Sequence, residues 1–279
     1  MAERQSEAVH FSFQPEAGFL SRDAVIDLAI DRDAPDTPDT VLFAGFGNEG
    51  VSVSTINRLR KVGERGVIAV DCLPFQDTSP CESGFTRLVV AASEAIYQHV
   101  TSRHGVEPEF AVIGESMGAF TSLTSAHELP ELYAGSIGLL EPVGFQGAIT
   151  KADFIWRMTK TGLQPGVINA PESAHVARHA VRRVVQDHRS TGGEALSQAL
   201  RWNALPVFAK LADDQEHRRT MTVYAGDRDI VFPYRQVRRG LAQYADLLYL
   251  ISGPHAAPAS EIGAKQVAKV ARHLRELTY

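Results

Sequence analysis

Five residues, Gly114-Glu115-Ser116-Met117-Gly118, stand where an apolar run ends and a helical pattern begins. A serine in that place sits on a sharp strand-to-helix turn, and a Cβ at either flanking glycine would collide with the adjacent strand or helix. Its hydroxyl is a poor nucleophile until a neutral imidazole takes its proton. The imidazole in turn needs a carboxylate to fix its tautomer and stabilise its charged form. An imidazole stands at His255, in Ser252-Gly253-Pro254-His255 directly after an apolar run. Three carboxylates end other runs: Glu141 after SIGLLE, and Asp227 and Asp229 after TMTVYAG. Such a set points to attack on a carbonyl and acylation of Ser116, followed by release with water. The attacked carbonyl develops negative charge, which preorganised N–H donors stabilise by about 3 kcal/mol each.

These groups work only if strands and helices deliver them to one place. VHFSFQ from Val9 and DAVIDLAI ending at Ile30 flank a turn-prone PEAG and read as an antiparallel pair. After the Pro- and Asp-rich DRDAPDTPDT, the run VLFAGFG from Val41 reads as a buried strand entering a tight loop, and GVIAVD as another ending at Asp71. Apolar residues then recur at helical spacing from Phe85 to near Gly105. FAVIGE reads as a strand, AFTSLTSAHEL as a helix and SIGLLE as a strand ending at Glu141. The alternation then fails for roughly 70 residues, too many for a structureless loop in a compact domain. That stretch carries SAHVARHAVRRVVQDH, with Val176, Ala180 and Val184 on one stripe and Ala177, Val181 and Val185 beside it. It predicts a helical cap over 144–217, between core segments 1–143 and 218–279. Alternation resumes with TMTVYAG, YRQVRRGLAQY, DLLYLIS and a closing amphipathic EIGAKQVAKVARHLREL. The expected fold is α/β, a mostly parallel sheet with helices on both faces.

From about Val9 to the last helix this pattern resembles the α/β-hydrolase superfamily. The glycine-framed Ser116 matches its nucleophile turn, and Ala44-Gly45-Phe46-Gly47 stands where the family usually has His-Gly-x-Gly, with alanine in place of the histidine. The resemblance implies that the backbone N–H groups of Phe46 and Met117 form the oxyanion hole. Val70-Asp71-Cys72-Leu73-Pro74-Phe75-Gln76-Asp77-Thr78-Ser79 is similar to the loop after the fourth strand, without its usual glycines. Gly226-Asp227-Arg228-Asp229-Ile230-Val231-Phe232-Pro233 resembles the Gly-x-x-Asp-x-x-x-Pro turn and implies Asp229 as the triad acid. Gly253-Pro254-His255 resembles the Gly-x-His loop and implies His255 as the base. The order Ser, Asp, His is the one this fold uses. Some members take the acid from the position of Glu141, which makes it a competitor; Gly226 and Pro233 frame Asp229 in its favour.

The resemblance leaves the reaction open among a carboxylic ester, a thioester, a lactone and a carbon–carbon bond, because fold does not fix function. Dehalogenase and epoxide-hydrolase chemistry is disfavoured, since those relatives use aspartate where Ser116 stands. A rival of another class is a binding protein that kept the fold without turnover. The chain of 279 residues, 44% hydrophobic and 22% charged, has the composition of an ordinary globular protein. Its net charge of -5 disfavours nucleic acid and anionic membrane surfaces. A small-molecule acyl substrate is the expected partner, with no cofactor and no metal; the oligomeric state stays open.

Cys72 and Cys81 are too few for a disulfide framework. The polar MAERQSEAVHFSFQ does not resemble a signal peptide, and no apolar run is long enough to cross a bilayer, so the expected location is cytoplasmic. His175 and His179 stand four apart, as two metal ligands can, but without an evident third ligand they read as a polar helix face. Arg178, Arg182 and Arg183 read the same way, with attraction of an acidic group such as a coenzyme A phosphate as the alternative. At the start of the insertion, Phe154, Trp156 and Met158 are candidate pocket walls, with ordinary cap packing as the alternative.

Overall fold

The computed structural model describes residues 6–14, 20–31, 33, 38–45, 52–71, 82–105, 110–133, 135–162, 200–214 and 219–278. Phe46, Cys72, Cys81, His175, Arg178, His179, Arg182 and Arg183 lie outside them. One sheet organises the described residues, with strands β1 (Ser6–Phe13), β2 (Arg22–Ile30), β3 (Thr40–Phe43), β4 (Val67–Val70), β5 (Ala111–Glu115), β6 (Ile137–Leu140), β7 (Met221–Gly226) and β8 (Leu248–Ile251). Their spatial order is β1-β2-β4-β3-β5-β6-β7-β8. The β1–β2 pair is antiparallel, with Ser6 opposite Ala29 and Phe13 opposite Arg22, and β2 is antiparallel to β4. Every other pairing is parallel.

Residue patterns explain the layout. On β1, Val9, Phe11 and Phe13 point inward between exposed neighbours, the period-two signature of a strand with one wet face. Strands β3 to β7 are buried at every residue, which requires helices on both sides. One face packs against α2 (Glu82–His104) and α3 (Gly118–Glu128), through residues such as Leu88, Val89, Ile96 and Leu123. The other packs against α1 (Ser52–Lys61) and the last helix, through Ile56, Leu59, Val267, Val270, Ala271 and Leu274. Continuing in chain order, α4 is Lys151–Gly162, α5 Leu205–Ala212, α6 Tyr234–Gly240 and α7, that last helix, Glu261–Thr278.

Some boundaries differ from the sequence reading. Helix α1 is not legible from apolar spacing alone, because its buried stripe of Ser52, Thr55, Ile56 and Leu59 is half polar. The run YRQVRRGLAQY stops being α-helical at Gly240, where a Cβ would lie 2.1 Å from Phe145 O, and a 3-10 turn over Ala242–Leu247 follows. Within 144–217 the described residues include α4 and α5, and Phe208 of α5 meets Phe145, which precedes α4, edge to face at 5.4 Å.

Two polar clamps tie the first strand and the last helix to their neighbours. His99 and His104 both reach Glu7 Oε2, at 2.8 and 3.1 Å, fastening β1 to the end of α2. Arg275 of α7 bonds Asp39 before β3 and Glu64 before β4. With β5 to β8 parallel, their carboxyl ends share one edge of the sheet, where ligands bind in open α/β sheets.

Candidate active site

Ser116 follows β5 directly and adopts φ +54°, in the left-handed region. For a residue with a Cβ this conformation costs roughly 1–3 kcal/mol and persists only where surroundings impose it. The surroundings here are backbone. Ser116 N–H donates to Leu140 O at 2.9 Å on β6, and its own carbonyl accepts from Val143 N–H at 3.2 Å. The flanking glycines are required by close approach: a Cβ on Gly118 would lie 2.0 Å from Phe43 O on β3, and one on Gly114 2.7 Å from Ala119 Cα.

The loop after β3 presses against this turn. A Cβ on Gly45 would fall 2.6 Å from Ser116 Cβ and 2.7 Å from Glu115 Oε2. Gly45 N–H donates to that same Glu115 oxygen at 2.7 Å. Phe46, the first expected oxyanion donor, lies outside the described residues. Met117, the second, is buried and immediately precedes α3.

His255 is buried in the loop after β8, with the Phe232 ring edge-on at 5.2 Å. Its Nδ1 has two carboxylate partners, Asp229 Oδ2 at 3.2 Å and Glu141 Oε2 at 3.1 Å. Asp229 is aimed by its own turn, Oδ1 accepting the N–H groups of Val231 at 2.7 Å and Phe232 at 2.9 Å. Glu141 is held from the other side, accepting Ala256 N–H at 3.2 Å and the Gln266 side-chain amide at 3.1 Å. Among the described non-glycine residues, only Ser116 and Glu141 have positive φ, +54° and +48°. Strain of this kind clusters at functional sites. The other ring nitrogen, Nε2, lies 3.8 Å from Glu115 Oε1. No hydrogen bond among the described residues joins it to Ser116 Oγ; such bonds commonly tighten only when substrate is bound.

Three buried carboxyls around one imidazole cannot all ionise freely. Burial pushes Glu115 up to about 7, against the pull of His255 and the Gly45 N–H. Burial likewise pushes Glu141 up to about 7, again opposed by His255. For His255, burial alone would lower the imidazole, but Asp229 and Glu141 outweigh it and hold it well above its ordinary value. A chain carrying this arrangement can move a proton at His255 while keeping the ring fixed from the Nδ1 side.

The sequence-predicted Ser116, Asp229 and His255 are all buried at the carboxyl edge of the sheet, and Glu141 joins them there. Asp227 does not: it is about two-fifths exposed and accepts Gly253 N–H at 2.8 Å. Among the pocket candidates, Phe154 is buried and its ring stacks at 6.5 Å on Phe232, which itself meets His255. Trp156 is 58% exposed with Lys160 Nζ over its ring, and Met158 is half-buried. The residue that sequence reasoning passed over is Glu115, although a charged side chain ending a central, fully buried strand is itself a signal. Two described groups bring three metal-ligand atoms within 4.8 Å of one another, Glu141–Asp229–His255 and Glu7–His99–His104. In each, the imidazoles already face carboxylate oxygens at hydrogen-bond distance. No described helix is long and apolar enough to cross a membrane.

No family model and no curated protein matches the sequence. Solved structures do. A bacterial membrane phospholipase A, described as a virulence factor, is 18% identical, with 91% of this chain and 83% of that one covered and a TM-score of 0.58. The peroxisomal α/β-hydrolase Lpx1 of Saccharomyces cerevisiae is 14% identical, with 98% and 89% covered and a TM-score of 0.57. An esterase of Pyrobaculum calidifontis is 16% identical, with 98% and 85% covered and a TM-score of 0.54. The chain has the α/β-hydrolase fold.

Proposed function

We propose that this α/β-hydrolase is a serine hydrolase that cleaves a carboxylic ester or a related acyl bond through an acyl-enzyme on Ser116. The observation that carries the reading is the pairing of a strained Ser116 at φ +54° with a buried His255 whose Nδ1 is held by carboxylates. A strained serine turn alone is geometry, and a buried imidazole alone is a titratable group. Together they supply a nucleophile and its base.

In this mechanism Ser116 Oγ attacks the substrate carbonyl carbon as its proton passes to His255 Nε2. Asp229 keeps the Nδ1 proton in place and stabilises the imidazolium that forms. The oxyanion is held by the backbone N–H groups of Met117 and Phe46, and the lack of a side chain at Gly45 leaves room for its backbone beside Ser116. Collapse of the tetrahedral intermediate breaks the bond to the leaving group, which takes the proton from Nε2. Water then gives its proton to Nε2 and attacks the acyl-enzyme, and the acid departs as Ser116 recovers its proton. The pocket side of the reading rests on Phe154, which reaches the site through Phe232. The cap over 144–217 would complete it, with Trp156 and Met158 as further candidate walls.

The structural neighbours include an esterase and a phospholipase, which supports an acyl substrate. The test is labelling with a fluorophosphonate, followed by a hydrolysis screen over acyl esters, thioesters and lactones. Ser116 is expected to be modified in the wild-type chain and no label to appear in Ser116→Ala. Folded wild-type protein that takes up no label would refute the proposal.

A further inference from the structure

The serine, its base and its acid leave two buried carboxyls at the site without a task, Glu141 beside Nδ1 and Glu115 on the side of Nε2. Glu115 sits between the glycine and the serine of the turn, with 2% of its surface exposed. Its two oxygens face different parts of the site: Oε2 accepts Gly45 N–H at 2.7 Å, and Oε1 lies 3.8 Å from His255 Nε2. That nitrogen is the one through which the base must exchange protons with Ser116, the substrate and water.

We propose that Glu115 is a positioning residue for His255: one carboxyl oxygen braces the loop after β3, while the other lies against the working nitrogen of the base and sets the pH at which that nitrogen is free to accept a proton. The proposal rests on the serine-hydrolase reading for its bearing on turnover, but its geometry does not.

An anion so close to Nε2 favours imidazolium over imidazole, because opposite charges within about 4–6 Å typically shift a pKa by about 1–3 units. The other charged groups facing the ring act in the same direction. Asp229, from the turn after β7, and Glu141, from the end of β6, both meet Nδ1. The neutral Gln266 faces the same cluster from α7, bonding Glu141 and Pro254 O. Of the three carboxyls, only Glu115 faces the nitrogen that must lose its proton before catalysis begins. Burial pushes Glu115 up to about 7 and the facing carboxyls hold His255 above its ordinary value, so across 3.8 Å the two ionisations bear on each other. An ionised Glu115 and a protonated His255 form a resting pair from which the base is not yet available.

The test substitutes Glu115→Gln, which removes the charge and keeps an oxygen for Gly45 N–H. The His255 ring titration is followed by NMR on the full-length protein labelled in histidine, and the pH dependence of fluorophosphonate labelling is measured alongside. The expected result is that the His255 titration, and with it the acid limb of labelling, moves to lower pH by about one unit or more. A His255 titration unchanged to within about 0.2 units would overturn the proposal, since bracing alone would not move it. Should the glutamine variant fail to fold, Glu115→Asp and the wild-type chain replace it, with the carboxyl carbon of residue 115 observed together with the His255 ring. Two titrations that shift each other's signals support the pairing, and independent titrations overturn it. If neither wild type nor variant is ever labelled while His255 still shifts, the hydrolase reading fails and the Glu115–His255 coupling stands.

Discussion

The turn around Ser116 is made by five consecutive residues, and the contacts that fix it come from β3, β6 and the first turn of α3. The pocket around His255 is assembled differently. It takes Glu115 from the end of β5, Glu141 from the end of β6, Asp229 from the turn after β7 and the Gln266 clamp from α7. The first region therefore has a single solution, enforced by backbone at 2.0 to 2.7 Å from any added Cβ, whereas the second holds more carboxylates than a hydrolytic triad uses. A site of the first kind should fail completely when one atom is removed. A site of the second kind should degrade in steps.

The largest effect is expected at the turn. Ser116→Ala should lower turnover by about 10⁶, as loss of a triad nucleophile does elsewhere, with thermal stability nearly unchanged. A steady-state assay and a melting curve on the same preparation check both halves, and substantial residual turnover would contradict the assignment.

The acids should behave less sharply. A lone triad acid replaced by its amide costs about 10⁴, but Glu141 stands 3.1 Å from the same nitrogen that Asp229 approaches at 3.2 Å. Asp229→Asn is therefore expected to cost about 10³, Glu141→Gln about twofold, and the double variant the full 10⁴ or so, more than the product of the two, which is the non-additivity of shared function. The assignment favours Asp229 because two backbone N–H groups fix the aim of its carboxyl at the ring, whereas burial pushes Glu141 up to about 7. A severe Glu141→Gln paired with a mild Asp229→Asn would exchange the two roles.

The surplus carboxyls should also be visible in folding. Glu115 and Glu141 are raised from the ordinary 4.5 to about 7, so between those values the folded chain binds more protons than the unfolded one. Their contribution to stability is complete below about pH 4.5 and is lost as pH rises through about 7. His255, held above its ordinary 6.5, continues the loss on the alkaline side. Urea unfolding of wild type and Glu115→Gln from pH 5 to 8 should show stability falling more gently in the variant. Parallel slopes would mean that Glu115 titrates alike in both states.

The smallest effect belongs outside both regions. Trp156 is 58% exposed, so Trp156→Ala should change stability by less than about 0.5 kcal/mol, while buried Phe154→Ala should cost about 3 kcal/mol. If Trp156→Ala instead alters the preference among acyl chain lengths without altering stability, it lines the route to the site.

Much of this was legible beforehand because it is local. Buried parallel strands read as unbroken apolar runs, and the glycines at 114 and 118 read as a turn because the steric demand lies within a few residues of Ser116. The chain order of Ser116, Asp229 and His255 was readable for the same reason, each sitting just past an apolar run that had to be a strand. Helix α1 was not, since half its buried stripe is Ser52 and Thr55, whose burial depends on what packs over them. Nor could apolar spacing tell that Phe154 turns inward while Trp156, two residues on along the same helix, turns out.

The sequence by itself determined the alternation of strands and helices, the strained serine turn and the candidate acids, because each follows from neighbours a few positions apart. Only the tertiary structure decided how many carboxylates surround His255 and which nitrogen each one faces. Glu115, Glu141, Asp229 and His255 span 141 positions of chain and meet because β5 to β8 lie side by side in register. Their protons are set by burial and mutual charge at 3 to 4 Å, quantities that exist only once the sheet has formed.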